Sequence, residues 1–139
     1  MSGRDGGGYA FLVEIMAVIL FFALSATVII ALFVSADRRA KEAAELSGAI
    51  LAAGSAAEIV RASDSPEEDF IERYGAAPVD GGYEAWLDAS FQPGSFEQYI
   101  IRLDCARENG LSEMIVTIGQ ADGEAIYTLG CASYAGGGT

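Results

Sequence analysis

Residues 15–34, IMAVILFFALSATVIIALFV, form a run of twenty positions without a charge, interrupted only by the hydroxyls of Ser25 and Thr27. At about 1.5 Å per residue such a run makes roughly 30 Å of helix, the thickness of the hydrocarbon core of a bilayer. A small water-soluble domain has too little interior to hide it, and the apolar region of a secretory signal peptide is shorter, so the run predicts one membrane crossing. Beyond it the chain changes character. From Ala44 onward there are 16 acidic residues and four basic ones (Arg61, Arg73, Arg102, Arg107), so this distal part carries the whole formal charge of −12 and belongs in water.

The chain contains no histidine. This removes the commonest general base near neutral pH and the commonest metal ligand, and with them Ser-His-Asp, Cys-His and zinc-protease arrangements. Eight Lys and Arg residues against 20 Asp and Glu argue against nucleic acid as a direct partner, because a phosphate-binding surface needs clustered cations. Scattered carboxylates such as Asp80, Glu84 and Asp88 read as solvated strand and turn positions, and Glu67, Glu68 and Asp69 suit a helix N-terminus better than a cation site. The expectation is a chain that is not an enzyme and has no metal or other cofactor.

Glu14 interrupts an apolar stretch that already begins at Tyr9-Ala10-Phe11-Leu12-Val13, close to where a helix would enter lipid. A charged group costs ~2.5–3.5 kcal/mol at the centre of a bilayer and less towards the interface, so Glu14 is either solvated among headgroups or compensated by a partner. Before it, Met1-Ser2-Gly3-Arg4-Asp5-Gly6-Gly7-Gly8 is a short polar leader ending in glycines. After the apolar run come Arg38, Arg39 and Lys41, which by the positive-inside rule alone would place that flank in the cytoplasm.

Leader, terminal glycine, apolar run and early glutamate occur here in an order that resembles the type IV pilin and pseudopilin families. The piece FLVEIMAVILFFALSATVIIALF is similar to the corresponding helix of small pilin-like proteins of tight-adherence systems. In those families a membrane aspartyl peptidase, the prepilin peptidase, cuts after the last leader glycine and leaves an apolar helix with a glutamate near its new amino terminus. The resemblance covers residues 1 to 40. It implies that Gly8 precedes the scissile bond, that Tyr9 becomes the new amino terminus, and that Glu14 is the assembly glutamate. Cleavage at Gly8-Tyr9 makes Glu14 the sixth mature residue where the families usually have it fifth; cleavage at Tyr9-Ala10 would restore the count and lose the glycine. The implied partners are other pilin or pseudopilin subunits through the N-terminal helix, the peptidase, an inner-membrane assembly platform and the lipid bilayer. The implied location is the plasma membrane, single-pass, or an extracellular filament, with the leader cytoplasmic and the C-terminal domain outside, the reverse of what the flanking charges favour.

The distal chain predicts an α+β fold. Residues 9–35 are expected as the membrane helix and residues 36–62 as its amphipathic continuation, with Leu46, Ile50, Ala53, Ala57 and Val60 forming one apolar stripe against a sheet. Gly48 and Gly54 would weaken this helix, let it curve, or admit another backbone. In residues 63–134 the pattern predicts a short helix from Pro66 to Tyr74, with Ser65 and Glu68 as a capping box and Gly75 as its stop. Four strands follow, around Tyr83–Asp88, Tyr99–Cys105, Met114–Ile118 and Glu124–Ala132, as an antiparallel meander joined by Glu108-Asn109-Gly110 and Ala121-Asp122-Gly123. Gly81-Gly82 reads as a hairpin dipeptide, Phe91-Gln92-Pro93-Gly94 as a turn, and Trp86 and Tyr127 as core or rim aromatics. Residues 135–139, with Gly136-Gly137-Gly138, read as a flexible tail.

Cys105 and Cys131 are the only candidates for a disulfide. In a meander of consecutive strands they would lie about 9.5 Å apart across Met114, beyond the ~7 Å limit for bonded cysteines, so two buried thiols are expected. Two functions fit the sequence: a structural subunit assembled through its N-terminal helix after leader cleavage, and an uncleaved single-pass protein with an acidic extracytoplasmic binding or sensor domain.

Overall fold

The computed structural model describes residues 5–134. It contains two helices, α1 (Asp5–Ala62) and α2 (Pro66–Tyr74), and five strands, β1 (Ala77–Val79), β2 (Gly82–Leu87), β3 (Tyr99–Glu108), β4 (Leu111–Gln120) and β5 (Ala125–Tyr134). The chain divides between Glu42 and Ala43 into two units. The first is helical and apolar, and α1 is long and apolar enough to cross a membrane once. The Ser25 and Thr27 hydroxyls donate to the carbonyls of Phe21 and Ala23 at 2.8 and 2.9 Å, so the polar side chains of the uncharged run are satisfied by the helix itself.

The second unit is an α+β fold in which the C-terminal part of α1 packs on a five-stranded antiparallel sheet ordered β1-β2-β3-β4-β5. Each junction has its own turn chemistry. Asn109 and Gly110, both at positive φ (53° and 80°), make the two-residue turn that pairs Glu108 with Leu111. Gly81 at φ 83° turns β1 into β2, and Gly123 at φ 95° lies in the turn before β5. The sequence pattern missed β1, whose three residues are too few to show an alternation and include Pro78, which favours an edge position.

The inner face of the sheet carries Ala85 and Leu87 from β2, Tyr99, Ile101 and Leu103 from β3, Met114, Val116 and Ile118 from β4, and Cys131 from β5, all buried. Against it α1 sets Ala49, Ala52, Ala53, Ala56, Ala57 and Val60, also buried. Ala53, Ala57 and Val60 of the expected stripe are buried as expected, whereas Leu46 and Ile50 are 43% and 42% exposed and Ala49, Ala52 and Ala56 join the contact in their place.

Helix α2 ends as expected on Gly75, at φ 65°, whose N–H donates to the Ile71 carbonyl at 2.8 Å. Its start differs from expectation. Ser65 is the N-cap residue and Pro66 follows it, but the Ser65 hydroxyl caps nothing. Instead the Ser63 hydroxyl accepts the Ser65 N–H at 3.0 Å and donates to the Asp69 carboxylate, so the capping box with Glu68 is replaced by a Ser63-centred turn.

The segment between β2 and β3 closes on Asp88, whose carboxylate accepts the Ser90 and Gln92 N–H groups at 2.8 and 3.1 Å. This turn carries Phe91 into the core at φ 57°, where it stacks on Tyr99 with centroids 4.2 Å apart.

Candidate functional site

Gly8, Tyr9 and Glu14 all lie on α1, which begins at Asp5, upstream of the expected boundary between leader and helix. Gly6, Gly7 and Gly8 have open space where a side chain would stand. Each glycine costs a helix ~1 kcal/mol relative to alanine, so the turn preceding Tyr9 is intrinsically easy to unwind. Residues 1–4 of the leader and residues 135–139 of the expected tail lie outside the described residues.

Glu14 is exposed, and among the described residues it has no ion-pair or hydrogen-bond partner. Helical periodicity puts it on one face with Val18, Phe21 and Ser25, a face otherwise without charge. Tyr9, five residues earlier, lies about 140° round the helix and ~7.5 Å along it. Ala10, four residues earlier, lies on the same face as Glu14. Of the basic residues after the span, Lys41 pairs with Asp37 at 3.0 Å on the exposed helix surface.

In the second unit the acidic residues at the start of α2 are parted. Glu67 accepts the Tyr83 hydroxyl at 3.1 Å and pairs with Arg107 at 3.5 Å, joining α2 to β2 and β3, while Asp69 takes the Ser63 hydroxyl. The hydrogen bond to Glu67, together with its charge, raises the Tyr83 phenol above its ordinary pKa. Burial, with Glu67 and Asp104 adding to it, raises the Cys105 thiol. This node was missed in the sequence, although the alternation Leu103, Cys105 puts Arg107 on the same face, at the exposed end of β3.

On the outer face, Arg102 donates to the Asp104 carboxylate and the Asp80 carbonyl, each at 2.7 Å, so it ties the β1–β2 hairpin to β3. The bond to Asp104 holds the guanidinium above its usual pKa. Glu84 lies opposite Arg102 in register, Asp80 meets Arg102 through its main-chain carbonyl, and the Asp88 carboxylate is engaged by its own loop. Among the described residues no three metal-ligating side chains converge.

Cys105 and Cys131 are both free. Register places them on either side of Met114, which pairs with each. Cys131 is buried and Cys105 half-buried. Comparison of the chain with protein-family models, curated proteins and solved structures finds no match in any of the three.

Proposed function

We infer that the chain is a structural subunit, a minor pilin or pseudopilin, of a type IV pilus-like or secretion filament, assembled through its N-terminal helix after loss of the leader. The observation that carries this reading is Glu14, a carboxylate on the apolar N-terminal part of α1 with no partner among the described residues of its own chain. A carboxylate carried into lipid is stabilised when a cation meets it, and the amine exposed by cleavage on a neighbouring chain is such a cation.

That pairing gives assembly its register. Apolar helix surfaces in lipid attract one another with little preference for axial offset, whereas one charge pair selects a single offset. The acidic second unit remains in water and contributes solubility through its net charge. Other subunits, the prepilin peptidase and an inner-membrane assembly platform are the partners this role requires, and the acidic unit lies outside the cell membrane.

The deciding experiment is intact-mass and N-terminal analysis of the natural protein. A chain beginning at Tyr9 supports the filament subunit. A chain that keeps residues 1–8 while its cellular role is intact establishes the other reading, an uncleaved single-pass tether whose acidic domain binds or senses.

A further inference from the structure

The two edges of the sheet differ in kind. β1 is three residues long and contains proline, both of which make an edge a poor template for pairing. β5 is ten residues long, pairs with β4 on one side, and contains neither a charge nor a proline. Its one irregularity in register comes at its start, opposite Ile118 and Gly119, and leaves the pairing from Tyr127 to Tyr134 regular. Among the described residues no backbone hydrogen bond from outside the sheet reaches β5.

The absence of charge is selective. β2 carries Glu84, β3 carries Arg102, Asp104, Arg107 and Glu108, and β4 carries Glu113. Soluble sheets ordinarily place Lys, Pro or a bulge on a long edge to prevent pairing with other chains, and here the stretch from Tyr127 to Tyr134 carries none of the three. Its inner row offers Tyr127 and Leu129, half-buried at the rim of the core, where one more apolar row would complete their coverage. Its outer row, Thr128, Gly130 and Ala132, is small and exposed, leaving room for long side chains beside it.

We propose that the free edge of β5 receives an added strand from a partner protein, an extended segment whose side chains alternate apolar with basic. Main-chain hydrogen bonds supply affinity, the apolar set covers Tyr127 and Leu129, and the basic set meets the field of a domain with 16 acidic and four basic residues. A second copy of this chain is the poorer occupant, because joining two β5 edges brings together two domains of the same strong negative charge. The inference applies equally to a filament subunit and to an uncleaved tether, so its test and the N-terminal test fail independently.

The test uses the full chain in detergent micelles and, as probe, an eight-residue peptide of alternating lysine and valine. Its control is the same peptide methylated on every backbone nitrogen, which keeps all side chains and charges but cannot pair as a strand. Strand addition is expected to slow hydrogen exchange of the β5 amides, and the methylated peptide is expected to bind about tenfold more weakly or worse, one net main-chain hydrogen bond being worth near that factor. Absent binding, equal binding of the two peptides, or protection confined to other strands would overturn the proposal. So would β5 amides already protected in a self-associated protein before peptide is added, which would assign the edge to a second copy.

Discussion

The ring of Phe91 lies directly over the α-carbon of Gly48, in the space that any larger residue at position 48 would fill with its β-carbon. Gly48 therefore interrupts a helix that would otherwise prefer alanine in order to seat an aromatic side chain delivered by the β2–β3 connection. Gly48→Ala gains ~1 kcal/mol of helix propensity but forces the ring out of its stack on Tyr99, and overpacking of this kind costs about 1–3 kcal/mol. The substitution is expected to lower the denaturation midpoint of the detergent-solubilised protein. Combining it with Phe91→Leu should cost less than the two changes summed, a non-additivity that marks direct contact.

Above neutral pH the phenols become informative. Burial raises Tyr74 and Tyr99, with Glu45 adding to the shift at Tyr99, and Glu67 raises Tyr83. A group whose pKa is higher folded than unfolded contributes stability that is complete below the unfolded value of 10.0 and is lost as pH rises towards the folded one. Stability should thus show no pH dependence from these tyrosines below pH 10 and fall above it, and tyrosinate absorbance should appear at higher pH in the folded than in the denatured protein. Glu67→Ala is expected to lower the Tyr83 and Cys105 pKa values towards their ordinary ones, read by phenolate absorbance and by the pH dependence of thiol alkylation.

The two thiols are expected to be distinguishable. With Met114 between them in the sheet, no bond joins Cys105 to Cys131, so denaturation without reductant should release two alkylatable thiols per chain. In the folded protein Cys105 should react first, because Cys131 is almost wholly enclosed. Protection of both thiols after denaturation would contradict the strand order.

For the membrane unit, Glu14→Ala is expected to leave insertion intact, since it removes a cost in lipid, and to impair co-assembly with other subunits several-fold in pull-downs from membranes. Gly8→Leu should block trimming, visible as retention of the leader in the intact mass, without changing the denaturation midpoint of the second unit. Co-assembly of Glu14→Ala at the level of the unsubstituted chain would remove Glu14 from the mechanism.

Much of the second unit was legible because its turns carry their own chemistry. Asn109-Gly110 specifies a tight hairpin, Gly75 stops α2 where it does, and the alternation from Tyr99 to Cys105 assigns the inner face of β3. The contact face of α1 was not legible in the same way. Hydrophobicity ranks Leu46 and Ile50 above alanine, and nothing in the spacing says that the N-terminal end of the stripe runs through Ala49, Ala52 and Ala56 instead. Phe91 resembled a turn residue because its neighbours are turn residues, and its burial depends on a cavity made by Gly48 forty-three positions earlier. The Ser63 turn displaced an expected capping box because two serines competed for one helix start. At the N-terminus, Gly8, Tyr9 and Glu14 stood out as residue types, while the group that would complete Glu14 belongs to another molecule under the reading inferred above.

The hydroxyls of Ser25 and Thr27 are both spent on the helix's own carbonyls. Along the uncharged span, then, a neighbour meets methyl and phenyl surface with no polar notch at which to lock, and sliding past costs little. Under the subunit reading inferred above, a single acid near one end would be the ratchet tooth on an otherwise smooth shaft, and the step height of a stack built from such helices would be decided at Glu14 rather than distributed over the length of the contact.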